Sequence, residues 1–225
     1  MEGIASADFT NFPKVMRIPL ILCAALATTG HLMADPAVLH AWLKKQSSIL
    51  SLDVPFTQQR KLPALKIPTS TPGRLTFKKP DQFRWQLGEP AETLAISDGT
   101  TLTLIQKKEK TARQIPADSP QAARFSLLSG KAFESIKAFN RAFEIAGYRV
   151  TQGIYQYTLK PKERALGSQV PWIFIDITAD GNTLAALEME LKDKSRIRTI
   201  FGQSRINKEA DPTLFQPDLS GLSIK

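Results

Sequence analysis

Glu188 and Glu190 are the residues of this chain that come nearest to a catalytic pattern. They stand two apart in "LEMEL", so on a strand they share a face, and paired carboxylates can do acid–base work. Leu187, Met189 and Leu191 alternate with them, which assigns the glutamates to the solvated side of that strand. Metal ligation fares no better. His40 stands alone on a helix face, and His31 and Cys23 fall in the N-terminal leader described below. There is no G-x-S-x-G elbow, glycine-rich phosphate loop or H-E-x-x-H pair. The expectation is a binding protein with no catalytic residue, no metal and no cofactor. Its most informative stretch is "FKKPDQFRWQLGEP", residues 77–90, where Phe83, Trp85 and Leu87 point one way and Arg84 and Gln86 the other.

The elements that position these side chains begin after an address. Lys14 and Arg17 precede the apolar run Ile18–Ala27, and small and polar residues follow to Ala34. That order reads as a secretory signal over residues 1–34, leaving 35–225 as one binding domain outside the cytoplasm. Cleavage there leaves no cysteine and removes two basic and two acidic residues, so the exported part keeps the whole net charge of +9. For an exported chain that charge points away from nucleic acid and toward an anionic membrane surface, an acidic protein face or plain solubility. At 42% hydrophobic, the 225 residues can build a sizeable core.

"PAVLHAWLKKQSSILS" has apolar residues at helical spacing after Pro36. Short alternating runs then dominate: 54–62, 73–79, 82–87, 93–97, 101–105, 148–152, 154–160, 172–178, 183–193 and 196–206. Asp98-Gly99, Gly153 and Gly181 mark tight turns. Residues 62–73, with three prolines, read as a long loop. Between the two groups of strands, 119–143 reads as one or two short helices broken at Ser129-Gly130, with Phe125, Leu128, Phe133 and Ile136 on the apolar stripe. Closely spaced strands imply an antiparallel meander of roughly eleven strands with two or three helices on one side.

Phe56, Leu75, Phe77, Phe83, Trp85, Leu87, Leu94, Ile96, Leu102 and Leu104 could all line one face of that sheet. An ordinary core explains such a face. The supply of covers favours more: one N-terminal helix and one insert must roof the whole sheet, and an incompletely filled sheet curls around an apolar cavity.

The motifs "FTQ" (56–58), "GRLTFKKPDQFRW" (73–85), "SDGTTL" (97–102) and "DPTLF" (211–215) resemble the LolA family of periplasmic lipoprotein carriers. The resemblance implies an incomplete antiparallel β-barrel whose helices form a lid over a hydrophobic cavity. It implies a monomeric shuttle in the periplasm that takes acylated lipoprotein from an inner-membrane ABC transporter to an outer-membrane receptor. Cargo of another amphiphilic kind, or a lipoprotein-sensing regulator, are alternatives on the same scaffold. It also implies that the basic residue before Pro80, here Lys79 where the family usually has arginine, latches the lid, and that Phe83 lies near the cavity mouth. Thr103 stands where the family often carries tryptophan.

Overall fold

The computed structural model describes residues 36–65 and 67–225; the expected leader, 1–34, lies outside the described residues. Helix α1 (Pro36–Ser47) buries Leu39, Trp42 and Leu43, spaced three and four apart on one stripe. Six strands follow: β1 (Ser51–Lys61), β2 (Thr69–Lys78), β3 (Gln82–Leu87), β4 (Thr93–Ser97), β5 (Thr101–Gln106) and β6 (Thr111–Pro116). An insert of two 3-10 segments, Pro120–Ser129 and Lys131–Phe133, and helix α2 (Ile136–Ala142) comes next. Then come β7 (Phe143–Thr151), β8 (Ile154–Pro161), the short α3 (Arg164–Gln169), β9 (Trp172–Thr178), β10 (Leu184–Glu190) and β11 (Arg196–Phe201). The C-terminal segment adds β12 (Arg205–Ile206), a 3-10 turn (Pro212–Phe215) and β13 (Ser223–Ile224). No helix among the described residues is long and apolar enough to cross a membrane.

The strands form one sheet in the order β13-β6-β5-β4-β3-β2-β1-β11-β10-β9-β8-β7, with β12 paired to the start of β1. All pairs are antiparallel except β13 with β6. The outermost strands, β7 and β13, do not meet, so the barrel is incomplete. The insert breaks where its sequence proposes: Gly130 takes φ 72°, a left-handed conformation that suits glycine, and ends the first 3-10 segment. Ser135 then caps α2 by accepting from the Ala138 N–H at 3.0 Å. Several elements depart from the expectation. The run 196–206 is two strands, β11 and β12, rather than one. The long loop is shorter, because Thr69–Gly73 already pair with β1. Strand β6 and helix α3 carry too little periodicity to be named from sequence.

Two apolar clusters fill the inner face. One gathers α1, α2, Phe133 and strands β7–β11 around Tyr157, Ile173, Ile175 and Ile177. The other gathers Val54, Phe56, Leu75, Phe77, Phe83, Ala95, Leu102 and Ile115 under the first 3-10 segment. Leu94 and Ile96 belong to neither. Trp85 pairs with Ala95 and Phe83 with Ser97, so the pleat turns Ala95 and Ser97 inward and sends Leu94 and Ile96 to the opposite face. The expectation that these two share a face with Phe83 is therefore corrected. The larger side chains of β4 suggest the wrong phase, because this strand is buried on both sides and does not alternate in polarity.

What buries the outer face is the C-terminal segment. Leu219 and Leu222 pack against Leu94, Ile96, Ile105 and Ala112, and Phe215 is 1% exposed. The "DPTLF" motif makes the turn that delivers it: Asp211 Oδ1 accepts from the Thr213 N–H at 2.9 Å, with Pro212 opening the turn. Asp53 fixes the near end. It accepts from Arg74 Nη1 at 3.0 and 2.9 Å and from Arg205 Nε at 2.9 Å. Burial works to raise the Asp53 carboxyl, but the hydrogen bonds from Arg205 and Arg74 outweigh it and hold the group below the usual carboxylate range.

Phe215→Ala is expected to lower unfolding free energy by about 3–5 kcal/mol, read by urea titration. Because the Asp53 carboxyl is depressed in the folded state, its stabilisation is complete above the ordinary carboxylate value. It is lost as pH falls through the folded value, from about pH 4 downward. Thermal melts across that range should show a shallower acid limb for Asp53→Asn than for the parent.

Candidate functional site

A cavity of about 360 Å³ opens between the two inner clusters. Leu52 and Val54 of β1 face the same way as Phe77 and Leu75 of β2, their direct cross-strand partners, and form one wall. Leu184 and Leu187 of β10 and Phe201 of β11 form the opposite wall, and Trp42 of α1 with Leu127, Leu128 and Phe133 of the insert form the roof. Lys45, Lys79, Asp81, Lys131, Glu134 and Asn182 supply its polar lining. Such a site can hold an apolar chain and meet a polar head group.

Of the sequence-proposed cavity residues, Leu75 and Phe77 line this space, and so do Leu128 and Phe133 of the proposed lid. Phe56, Phe83, Trp85, Leu87, Leu102, Leu104 and Phe125 sit in the adjoining cluster, where the protein fills the space with its own side chains. Phe56 and Trp85 stack with ring centroids 4.0 Å apart, and a Cβ on Gly73 would run into the Phe56 ring. Phe83, 4% exposed, is core rather than cavity mouth. Thr103 faces outward with its partner Ile96. Ile136, the first residue of α2, is 40% exposed and leaves the lid stripe. Sequence reasoning missed Trp42, Leu52, Leu184, Leu187 and Phe201. They come from elements far apart in sequence: the β1–β11 pairing brings the two walls together, and the packing of α1 adds Trp42.

Lys79 fastens one part of the roof. Its Nζ donates to the Ser47 carbonyl, the end of α1, at 2.8 Å, and its backbone N–H donates to the Leu50 carbonyl at 2.8 Å. A cation there also complements the helix C-terminus. Asn207 reinforces the corner, accepting from the Leu50 N–H at 2.7 Å and donating to Ser48 O at 3.1 Å. The insert is held separately. Lys131 pairs with Asp81 at 3.0 Å, and Gly130 lies against the Phe77 ring. The lysine before Pro80 thus ties the first helix, and the residue after that proline ties the insert.

The Glu188–Glu190 pair is not a solvated face. Arg196 donates to Glu188 at 3.2 Å and to Glu190 at 2.8 Å, Arg198 reaches Glu188 at 3.4 Å, and Lys194 pairs with Glu190 at 3.1 Å. The hydrogen bond from Lys194, then that from Arg196, holds the Glu190 carboxyl below its ordinary value. These carboxylates are partners in an ionic ladder, which continues to Asp176 through Arg198.

Phe83→Glu should cost about 3–5 kcal/mol of stability, as burying a charge in place of a packed ring demands. Leu184→Glu, on a half-buried cavity wall, should fold and instead lose uptake of an apolar dye. Equal dye binding by parent and Leu184→Glu, each checked by circular dichroism, would contradict the assigned wall. Lys79→Met should cost about 1 kcal/mol and speed hydrogen exchange at residues 47–50.

The sequence profile of the family described as "Outer membrane lipoprotein carrier protein LolA" matches residues 47–218. An outer-membrane lipoprotein carrier protein of Alkalilimnicola ehrlichii is 26% identical over 201 residues, covering 88% of this chain and 87% of the relative. One from Psychromonas ingrahamii is 32% identical over 117 residues, covering 52% and 56%. A crystal structure of a LolA superfamily protein from Nitrosomonas europaea superposes with a TM-score of 0.44 at 8% identity, covering 79% of this chain and 96% of that one.

Proposed function

The chain belongs to the LolA family of outer membrane lipoprotein carrier proteins, and from that premise we propose that it carries acylated lipoproteins between membranes, with an acyl chain held in the cavity between its two apolar clusters. The observation that carries this reading is the cavity itself: apolar walls from β1, β2, β10 and β11 under a roof held by two separate polar ties. Residues 1–34 direct export, the periplasm is the place of work, and the cargo passes from an inner-membrane transporter to an outer-membrane receptor. The carrier acts as a monomer.

The energetics suit a carrier. Each buried methylene contributes about 0.8 kcal/mol, so a roughly 16-carbon chain gains on the order of 10 kcal/mol before ordering costs. Opening the roof offsets part of that gain, because affinity falls with the population of closed molecules.

The test is release of lipoprotein from membranes. Purified protein is incubated with inner membranes holding radiolabelled lipoprotein, the native transporter and ATP, and the supernatant is analysed by native mass spectrometry. A soluble one-to-one complex is the expected result, depleted in Leu184→Glu. Lipoprotein that stays in the pellet with the transporter active would overturn the reading.

A further inference from the structure

A second cavity, of about 310 Å³, lies on the other side of the sheet, between strands β1–β3 and the C-terminal segment. The pleat fixes its floor. Leu75, Phe77 and Phe83 point into an inner cluster, so Arg74, Thr76 and Arg84, which alternate with them, point outward. Thr76 stands directly opposite both Asp53 and Arg84, and Arg74 opposite Gln86. These five side chains therefore share the outer face, and all five line the cavity. Residues 208–211 and Leu214 roof it.

The charges on this floor are unequally served. Asp53 is held by Arg74 and Arg205. Arg84 is half-buried and has no carboxylate partner among the described residues. It makes one hydrogen bond there, from Nη1 to the Leu214 carbonyl at 3.4 Å, although a guanidinium carries five N–H donors. Burial lowers its pKa from the ordinary arginine value, and no acidic neighbour acts against that. Arg198, on the same outer face in β11, gives the contrast. Burial works to lower it too, but Asp176 and Glu188 outweigh the effect and raise it. A cation drawn out of water without a counter-ion is costly, and the cost is relieved when an anion joins it.

We propose that this cavity is an anion site, in which the Arg84 guanidinium receives an oxyanion of the phosphate or carboxylate type and Lys208 adds charge at the rim. The planar fork of arginine matches two oxygens of such a group. Four cations line the cavity, Arg74, Arg84, Arg205 and Lys208, against three carboxylates, Asp53, Glu209 and Asp211. Two of those carboxylates are engaged already, Asp53 by its two arginines and Asp211 by the Thr213 N–H. Glu209 is exposed and has no ion pair among the described residues, which makes it the competitor that an incoming anion must displace. An anion on Arg84 bridges the sheet to the segment above it, and so fastens the stretch that leads to Phe215. The site lies on the opposite face from the apolar cavity and does not depend on what that cavity holds.

The experiment is calorimetric titration of the exported protein with inorganic phosphate and with acetate, at constant ionic strength set by chloride, with hydrogen exchange read over residues 208–216. One phosphate per chain is expected, with slower exchange in that segment. Arg84→Met, which keeps the length of the apolar stem, should weaken phosphate binding about tenfold or more. Arg84→Lys, which keeps the charge and loses the fork, should weaken it about three- to tenfold. Arg149→Met, at an exposed position on β7, should leave it unchanged. Glu209→Gln should strengthen it about two- to threefold. Urea midpoints establish that each variant is folded. Dihexanoylphosphatidylglycerol below its micellar concentration separates the sources. Tighter binding than phosphate, lost with Arg84→Met, assigns the site to a lipid head group; weaker binding assigns it to the free anion. Absence of phosphate and acetate binding to the parent, or equal binding by parent and Arg84→Met, would overturn the proposal. So would a double-mutant cycle in urea that couples Arg84 to Glu209, because the chain would then already supply the counter-ion.

Discussion

Everything in this molecule hangs on β1. It pairs with β2 over ten positions on one side and with β11 and β12 on the other, and it is the one strand through which the two halves of the sheet are joined. Each half packs its own apolar cluster. The clusters are built largely on different strands, share Phe201 and the first 3-10 segment, and leave space along the seam between them. The cavity lies over that seam. It is a consequence of two cores sharing one strand, rather than of a single core left short of side chains.

The roof answers to the same geometry. Helix α1 docks on the half made by β7–β11, and the first 3-10 segment straddles both halves, with Ala123 and Leu127 in one cluster and Ala122, Phe125 and Leu128 in the other. Their ties meet at the β2–β3 corner, Lys79 reaching back to α1 and Asp81 reaching across to the insert. Exposed ionic contacts of this kind contribute about 0–1 kcal/mol each, far less than the packing beneath them. What holds the roof down is the packing of Trp42, Leu127 and Phe133 into the first cluster, and the ties fix where it sits.

Much of this was legible from residue order. The strand-rich meander, the helical break at Gly130 and the turns at Gly99, Gly153 and Gly181 follow from local chemistry, since each needs a particular residue at a particular place. The site was legible only in part. Leu75 and Phe77 are found because β2 alternates cleanly, whereas Leu94 and Ile96 mislead because the C-terminal segment buries a second face of β4. The opposite wall depends on pairing between β1 and β11, which no local pattern reports. Phe83 and Trp85 look like ligand-binding aromatics and are filled in by Phe56, whose ring occupies the space that Gly73 leaves open. Whether an aromatic cluster encloses a void or closes it is decided by volumes contributed from several strands, and a linear pattern carries no such sum.

The C-terminal covering has a consequence in time as well as in space. The residues that shield Leu94, Ile96 and Ile105 are Leu219 and Leu222, more than a hundred residues later, and β1 waits as long for β11 to become its second neighbour. Such distant pairing makes folding slow and leaves apolar strands uncovered meanwhile. Until Leu219 and Leu222 arrive, the outer faces of β4, β5 and β6 stay bare, and until β11 arrives β1 has a raw edge. The order of the chain thus leaves its oiliest surfaces to be shielded last.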